Sequence, residues 1–509
     1  MLALWTLLGG VVVATTAQCP DYLDYSEQYH APFSSGRYNL SYQRPSPECR
    51  TFVSQPIEDT IKRLNSTIRD PDLARLFENS YPNTVDTAIK WKGTAAGSDE
   101  ELTFVITGDI NAMWLRDSAN QMQSYLPLLN ASSASNSIAS LYRGVINLQS
   151  RYLLTSPYCN SFQPPVESGI SPSDNSAAAQ DMVVPPYNNQ SVFECKYELD
   201  SLAAFLEVSS NYYNATQDID FFGKYNWVDA INALLGVAEN MTLSTYASDG
   251  RVNKSPYSFT RMTTSNTETL ANKGIGNPVQ NGTGLIRSAF RPSDDATIYQ
   301  LFIPANMMFA RYLESASLIA NKLPNQGDLA KRMSDLSSQL RDSIAKSGIV
   351  SDAKHGNIYA FEVDGFGSRN MMDDANIPSL LSAPFFGYLN VNDEVYQATR
   401  RFILSRDDPY FMQGPVINSV GGPHEGPGYA WPMASIVRIF TSDDDDEITT
   451  ALKEIVSSTN GLGLIHESIN SFDQSDWTRQ WFSWANGLFG QMIVDLDSRK
   501  PDILSQSFQ

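Results

Sequence analysis

The 509-residue chain has few cysteines, few histidines and few positive charges, and each shortage excludes a class of protein. It contains four cysteines, four histidines, and 36 lysines and arginines against 56 aspartates and glutamates. With no Cys-X-X-Cys spacing and so few histidines, the chain lacks the pattern of a zinc site. The formal charge of −20 would repel nucleic acids and anionic membranes, so neither is an expected partner.

Several catalytic motifs are also missing. The chain has no GxSxG elbow, no P-loop and no GxGxxG dinucleotide fingerprint. His466 and Glu467 are adjacent but do not form an HExxH pair. We therefore predict neither a cofactor nor a bound metal.

Long apolar runs are absent except at the amino terminus. Residues 2–13 are apolar, and the small residues Thr15, Thr16 and Ala17 follow them. This pattern predicts a signal peptide over residues 1–17 and secretion of the protein, because the run is short for a membrane anchor, the alternative. Eight Asn-X-Ser/Thr sequons agree with this route, at Asn39, Asn65, Asn130, Asn189, Asn214, Asn240, Asn253 and Asn281.

The four cysteines permit three disulfide pairings. They are Cys19, Cys49, Cys159 and Cys195, an even number that suits a secreted protein. Proximity along the chain favours the pairs Cys19–Cys49 and Cys159–Cys195.

What the chain does have is a mainly helical pattern. Residues 18–50, rich in Tyr, Ser and Pro, predict an extended arm, and residues 51–509 predict one catalytic domain. A β-hairpin is expected from residues 85–91 and 102–107. Before and after it, apolar residues recur with a 3.6-residue period in about a dozen segments in all, residues 377–389 among them. Because long loops separate these segments, the pattern predicts one α-barrel with a pocket at one end.

The most distinctive stretch is residues 107–118, which read TGDINAMWLRDS. Trp114 stands beside Arg116 and Asp117, and an aromatic face with charged neighbours is typical of a sugar site. The alternative is a core tryptophan beside a structural ion pair.

Other blocks carry chemistry of the same kind. Asp200 lies at the start of a predicted helix, where the helix dipole alone would favour a carboxylate. Residues 290–296 resemble a helix cap, with Ser293, Asp294 or Asp295 as the capping residue. Residues 371–378 suit either a cap or a rim that binds sugar hydroxyls. Carboxylates among tryptophans in residues 463–484 are candidates for raised pKa values and acid–base catalysis.

Four of these blocks, in this order, resemble glycoside hydrolase family 125. They are TGDINAMWLRDS at 107–118, RPSDD at 291–295, MDDANIPSLL at 372–381 and WFSWANGLF at 481–489. The family comprises exo-acting α-1,6-mannosidases, including fungal members described as meiotically up-regulated proteins. The similarity extends over residues 57–496. It implies an (α/α)6 barrel, a mainly α fold with long loops and a small β-hairpin near the active-site end, and inverting hydrolysis without a metal.

The resemblance also implies residue roles. The general acid would be Asp200, in an ELDSL block, and the general base Glu467, in an HES block. A mannose-containing oligosaccharide or glycoprotein would be the substrate, and the protein is expected to be a monomer. Glu425 departs from the family pattern and could line an outer subsite. The expected substrate-binding residues are Trp114, Arg116, Asp117, Asp373, Asp374, Asn376, His424, Arg479 and Trp484.

Three other functions are compatible with the same residues. Two are enzymes of the same barrel type, a glucoamylase-like hydrolase and a calcium-dependent α-1,2-mannosidase. The third is a mannan-binding protein without hydrolytic activity. Maltose hydrolysis, sensitivity to chelators, or binding without turnover would identify each in turn.

Overall fold

The computed structural model describes residues 19–509, and within that range the protein is built mainly from α-helices. Twelve of these helices have nine residues or more. They are Gln55–Thr67, Pro71–Ser80, Leu115–Gln123, Ile138–Thr155, Leu199–Thr216, Trp227–Asn240, Ile303–Lys322, Gly327–Ser347, Glu394–Ile403, Pro432–Phe440, Asp445–Ser457 and Ser483–Arg499. Shorter helices are Tyr22–Ser26, Ile219–Phe222, Ala271–Gly274 and Pro501–Leu504.

Five of the long helices form most of an inner ring. Helix Leu115–Gln123 packs against Leu199–Thr216 on one side and Ser483–Arg499 on the other. Leu199–Thr216 then packs against Ile303–Lys322, and Ser483–Arg499 against Pro432–Phe440. The burial of the inner helices agrees with their position, because a helix that is buried on every face lies in the interior of a protein. All nine residues of helix Leu115–Gln123 are buried.

Outer helices bury only one stripe. In helix Asp445–Ser457 the buried residues are Ile448, Ala451, Leu452, Ile455 and Val456. Their spacing of three and four residues places them on one face, which packs against the inner ring. This contrast between inner and outer helices explains why the apolar periodicity of the sequence predicted a barrel.

The prediction of a helix over residues 377–389 is wrong. The segment consists of turns, although it lies near the inner helices, with Phe385 and Phe440 ring centroids 4.7 Å apart. The Asp373 carboxylate accepts hydrogen bonds from the backbone N–H groups of Leu380 and Leu381, both at 2.9 Å. These side-chain bonds satisfy the backbone in a turn and compete with helix formation.

The β-structure is confined to small antiparallel sheets. The predicted hairpin is present as Ile89–Thr94 and Glu101–Val105, and its second strand ends two residues before Thr107 at the cavity described below. The other sheets are Met113–Trp114 with Ser161–Phe162 and Val192–Glu194; Met182–Val184 with Ser258–Thr260; Leu301–Phe302 with Glu362–Val363 and Arg369–Asn370; Ile349–Asp352 with Gly356–Tyr359; Phe411–Gln413 with Asn418–Val420; and Tyr429–Ala430 with Ser468–Asn470 and Asp473–Thr478.

Both expected disulfides are present. Cys19 pairs with Cys49, and Cys159 pairs with Cys195. The first closes the amino-terminal arm, which lies along the barrel: Arg44 donates to Asp86 over 2.7 Å. The division into an arm and a catalytic domain stays a prediction.

The predicted signal peptide, residues 1–17, lies outside the described residues. All eight sequon asparagines lie at least partly exposed. No helix in residues 19–509 is long and apolar enough to cross a membrane. Within the same range no group of three histidine, cysteine or acidic side chains has an arrangement that could hold a metal ion.

Candidate active site

One cavity of about 400 Å³ collects most of the predicted site residues. Much of its wall comes from loops that precede inner-ring helices, so residues distant in sequence face the same space. Eight of the eleven predicted residues line it, namely Trp114, Arg116, Asp117, Asn376, His424, Glu467, Arg479 and Trp484. The other three, Asp200, Asp373 and Asp374, are buried and do not line it.

The stretch 107–118 places its charged residues by changing from strand to helix. Met113–Trp114 pairs with Ser161–Phe162, and helix Leu115–Gln123 begins at the next residue. Arg116 and Asp117 therefore lie in the first helical turn, nearly buried at the base of the cavity. Burial raises the pKa of Asp117 to about 6, although the nearby Arg116 charge opposes the rise.

Arg116 is surrounded by four carboxylates. Its Nη1 atom lies 2.7 Å from Glu198 and 3.4 Å from Asp200, and its Nη2 atom lies 3.3 Å from Asp117 and 3.8 Å from Asp294. Three of these carboxylates are at most 5% exposed and one guanidinium cannot neutralise all four, so burial favours protonation of some of them. The group is an acid–base cluster as well as a clamp.

Asp200, the residue expected to be the general acid, does not reach the cavity. Its side chain is 0% exposed and lies against Arg116, and its Oδ1 atom has no hydrogen-bond partner. Burial raises the pKa of Asp200 to about 6. The proton affinity suits an acid, but in this arrangement a fully buried carboxyl cannot touch a glycosidic oxygen. Its contact with Arg116 suits a residue that positions the cluster.

Asp294 is the most exposed carboxylate of the same cluster, and it lines the cavity, as the nearly buried Asp117 also does. Its side chain is 24% exposed and lines the wall. Its Oδ1 atom accepts hydrogen bonds from the Trp114 indole at 3.2 Å and the Asn160 amide at 2.8 Å. The backbone holds it at a left-handed φ of 64°, a conformation that non-glycine residues rarely adopt and that clusters at active sites.

Glu198 lies behind Asp294. The Asn160 amide donates to both carboxyl groups, at 3.1 Å to Glu198 and 2.8 Å to Asp294, and Arg116 contacts both. Burial raises the pKa of Glu198 well above its usual range, despite the nearby Arg116 charge. Burial also acts on Asp294, but the charges of Arg116 and Lys196 outweigh it and lower the pKa of Asp294 to about 2. A proton held by this pair therefore resides on Glu198.

Glu467 provides a second, separate carboxylate on the wall. Its carboxylate accepts hydrogen bonds from Arg479 and from the Thr478 hydroxyl, each at 3.0 Å. Arg479 in turn is held by Asp109, whose two oxygens accept from its Nε atom at 3.0 and 2.9 Å. Glu467 lines the cavity, and its side chain is 5% exposed.

The stretch 107–118 thus supports both sides of the cavity. Arg116 contacts Glu198, Asp200 and Asp294, while Asp109 fixes the arginine that holds Glu467. The sequence indicated a sugar clamp here. In the structure the same stretch also positions carboxylates on both sides of the cavity.

His424 and Lys196 add positive charge at the rim. His424 Nδ1 lies 3.5 Å from Asp295. Burial alone would lower the pKa of His424, but the carboxylate of Asp295 outweighs it and raises that pKa. Lys196 lies 3.6 Å from Glu194 and also lines the cavity. Neither the lysine nor Glu194 was among the predicted residues.

Of the three residues predicted to form a hydroxyl-binding rim within residues 373–376, only Asn376 lines the cavity. The Asp373 carboxylate accepts hydrogen bonds from the backbone N–H groups of Leu380 and Leu381, as described above. Asp374 accepts hydrogen bonds from Ser293 at 3.1 Å and from the Asn376 side chain at 3.2 Å. Both aspartates are at most 2% exposed, so they orient the rim from behind. Their placement at the rim itself was wrong, because backbone and side-chain donors take up their oxygens.

The tryptophans are more buried than an open sugar platform requires. Trp114 is 5% exposed and Trp484 only 1%. The Arg116 guanidinium lies over the Trp484 ring, 5.8 Å from its centroid. Trp114 meets Phe193 edge to face at 5.6 Å, and Phe193 also lines the cavity. The two tryptophans therefore mainly position polar groups, namely Asp294 beside Trp114 and Arg116 over Trp484.

Asp294 is the main functional residue that the sequence-based prediction missed. The doubled aspartate after Arg291-Pro-Ser suggested a helix cap, yet the next long helix begins only at Ile303. Nothing in the local pattern around Asp294 indicated that it lines a cavity. Its contact with Glu198 and Arg116 was not visible, because it joins residues nearly 100 and 180 positions apart.

Comparisons with known proteins agree with this geometry. Residues 70–494 match the family model described as metal-independent alpha-mannosidase (GH125). The meiotically up-regulated gene 157 protein of Schizosaccharomyces pombe (strain 972 / ATCC 24843) is 46% identical over 491 residues, which cover 96% of this chain and 94% of that protein. A metal-independent α-mannosidase of Streptococcus pneumoniae, solved in a non-productive complex with α-1,6-mannobiose, is 33% identical with a TM-score of 0.77. That match covers 88% of this chain and all of the bacterial one.

These matches extend over most of the chain and include its cavity. The helical architecture is that of an (α/α)6 barrel. The chain belongs to glycoside hydrolase family 125, the metal-independent α-mannosidases, and is a glycoside hydrolase.

Proposed function

We propose that this enzyme removes terminal, non-reducing α-1,6-linked mannose from a mannose-containing oligosaccharide, with inversion at the anomeric carbon. The observation that carries the proposal is the pair of separate carboxylates, Asp294 and Glu467, on the wall of one cavity. Each is held by its own arginine, Arg116 or Arg479. The α-1,6 linkage is supported by the related bacterial enzyme, which was solved with α-1,6-mannobiose.

In the proposed reaction, Asp294 donates a proton to the glycosidic oxygen while Glu467 removes one from the attacking water. The proton comes from the pair that Asp294 forms with Glu198. A sugar that fills the cavity displaces water from the exposed side of Asp294 and so favours its protonated form. Inversion requires the acid and base to lie roughly 6.5–9.5 Å apart, with the water between the base and the sugar.

This proposal moves the acid from Asp200 to Asp294. Asp200 has the raised pKa but lies outside the cavity, whereas Asp294 has access to the substrate and is paired with Glu198. Geometry takes precedence over proton affinity, because the donor must come within hydrogen-bond reach of the oxygen. Arg116, Asp117 and Asn376 then bind the hydroxyls of the terminal sugar.

Substrate and stereochemistry are tested together. The purified enzyme is expected to release mannose from α-1,6-mannobiose and not from its α-1,2 or α-1,3 isomers or from maltose. Proton NMR within the first minutes should show β-mannose as the first anomer formed. Cleavage of maltose, loss of activity with a chelator, or binding without turnover would each support one of the alternative functions named above.

The pairing of Asp294 with Glu198 predicts how kcat/KM depends on pH. Glu198→Gln is expected to move the alkaline limb of kcat/KM to lower pH. Wild-type activity should fall as the pH rises through the pKa of the Glu198–Asp294 pair, whose proton burial retains. With glutamine at position 198, Asp294 alone must hold that proton beside Arg116 and Lys196, which favour its ionised form. The measurement is kcat/KM for α-1,6-mannobiose from about pH 4 to 9.

Glu207→Gln is the matched control. Glu207 is a buried carboxyl on the same helix as Asp200, hydrogen-bonded to Tyr312 at 2.7 Å, and it does not line the cavity. Its burial raises its pKa to about 7, yet its replacement should leave the alkaline limb in place. If the limb of Glu198→Gln coincides with the wild-type limb, Glu198 does not supply the proton.

We also propose that the enzyme is exported through the secretory pathway. The two disulfides and the accessible sequon asparagines support this route, since disulfides persist in oxidising compartments. The test is electrophoresis of the expressed protein before and after glycosidase treatment. Removal of N-linked glycans should increase its mobility.

A further inference from the structure

A second cavity, of about 880 Å³, opens beside the active-site cavity. It lies within residues 163–193, a segment that connects helix Ile138–Thr155 to the inner helix Leu199–Thr216. Asn175 and Phe193 line both cavities, so the two spaces share a wall. A substrate too long for the first cavity therefore has a neighbouring space to enter.

The walls of the second cavity are fixed by polar side chains. Gln163, 2% exposed, both donates to and accepts from the backbone of Ser173 at 2.9 Å. The Asn111 amide donates to the Ser173 hydroxyl at 3.0 Å and ties the segment to the stretch 107–118. On the other side, Arg261 holds the buried Asp181 carboxylate with two hydrogen bonds of 2.8 and 2.6 Å. The space is thus pre-formed, which lowers the cost of binding.

The chemistry of its walls favours a neutral, polyhydroxylated ligand. Its described lining residues include amides, serines and the carboxylates Asp174 and Asp181, and none of them is lysine, arginine or histidine. Such a lining would repel a phosphate or sulfate group. Half-buried Tyr187 and Phe193 supply aromatic faces for the C–H surface of a sugar ring. The volume is within the range of about 300–1,000 Å³ that is usual for ligand sites.

We propose that the second cavity binds the sugars on the reducing side of the scissile bond and so makes the enzyme selective for longer chains. This inference rests on the proposed function, because it assigns the leaving group of that reaction a place. The terminal mannose would occupy the cavity with Asp294 and Glu467, and the chain would pass Phe193 towards Tyr187. Contacts remote from the scissile bond raise kcat/KM when they also hold in the transition state.

The test compares chain lengths. For the wild-type enzyme, kcat/KM for α-1,6-mannotetraose should exceed that for α-1,6-mannobiose by about three- to tenfold, the value of one or two net hydrogen bonds. In Tyr187→Ala, and separately in Asp174→Ala, the ratio of the two values should fall toward one. Asp174 is exposed, so its replacement keeps the test valid if Tyr187→Ala does not fold. Because the sequon Asn189 lies at the rim, all proteins are compared after enzymatic deglycosylation.

Tyr246→Ala and Asp342→Ala are matched controls at exposed positions away from both cavities, and they should keep the wild-type ratio. A wild-type ratio near one, or an unchanged ratio in both Tyr187→Ala and Asp174→Ala, would overturn the outer-cavity inference while leaving the mannosidase proposal intact. Failure to release mannose from either substrate would instead contradict the proposed function itself.

Discussion

Asp294→Asn is expected to lower kcat/KM for α-1,6-mannobiose by about 10²–10⁴-fold, the usual contribution of a general acid. Asparagine keeps the shape and can still pair with its neighbours, but it cannot give a proton to the leaving oxygen. The loss should be much smaller for 2,4-dinitrophenyl α-mannoside, because that leaving group departs without protonation. The measurement is the ratio of the two losses, determined by mannose release and by absorbance.

Asp200→Asn separates this acid from the residue first expected in the role. Asp200 contacts Arg116 and has no access to the cavity, so its replacement should lower both activities by a similar factor. A loss confined to the disaccharide in Asp200→Asn, together with equal losses in Asp294→Asn, would return the acid role to Asp200. Circular dichroism of both variants checks that each remains folded.

Glu467→Gln is expected to reduce kcat by about 10²–10⁴-fold on the disaccharide and on the activated mannoside alike. Water must be deprotonated whichever group leaves, so a better leaving group cannot compensate for a missing base. KM should change less than kcat, since Arg479 and Asp109 remain to shape the wall. Steady-state kinetics with both substrates provide the measurement.

Glu425→Gln is the control for this variant. Glu425 lines the same cavity, but it is half-exposed and follows the rim residue His424. Its replacement should leave most of kcat in place. If Glu425→Gln loses turnover and Glu467→Gln retains it, the base has been assigned to the wrong glutamate.

The arrangement explains how one cluster can both bind and protonate. Arg116 holds Glu198, Asp200, Asp117 and Asp294 within 3.8 Å of its guanidinium, so their charges compete for one partner. That competition, together with burial, keeps a proton in the cluster near neutral pH. Asp294 is the most exposed of the four, and it shares the Asn160 amide with Glu198, whose pKa burial raises.

Local pattern was sufficient for much of the protein. The sequence pattern located all twelve long helices approximately, because burial of a helix face repeats every three to four residues. It failed at residues 377–389, where the Asp373 carboxylate bonds to backbone N–H groups and stabilises turns. Proximity along the chain also indicated both disulfides correctly.

By itself the sequence determined the helical barrel and the family, since each depends on motifs or periods within short segments. Only the tertiary structure decided which of the two aspartates lines the cavity. Asp200 and Asp294 are both acidic residues in family motifs, but Arg116 packs over the first while a left-handed turn presents the second to the cavity. Accessibility depends on packing between segments far apart in the chain, and no local pattern records it.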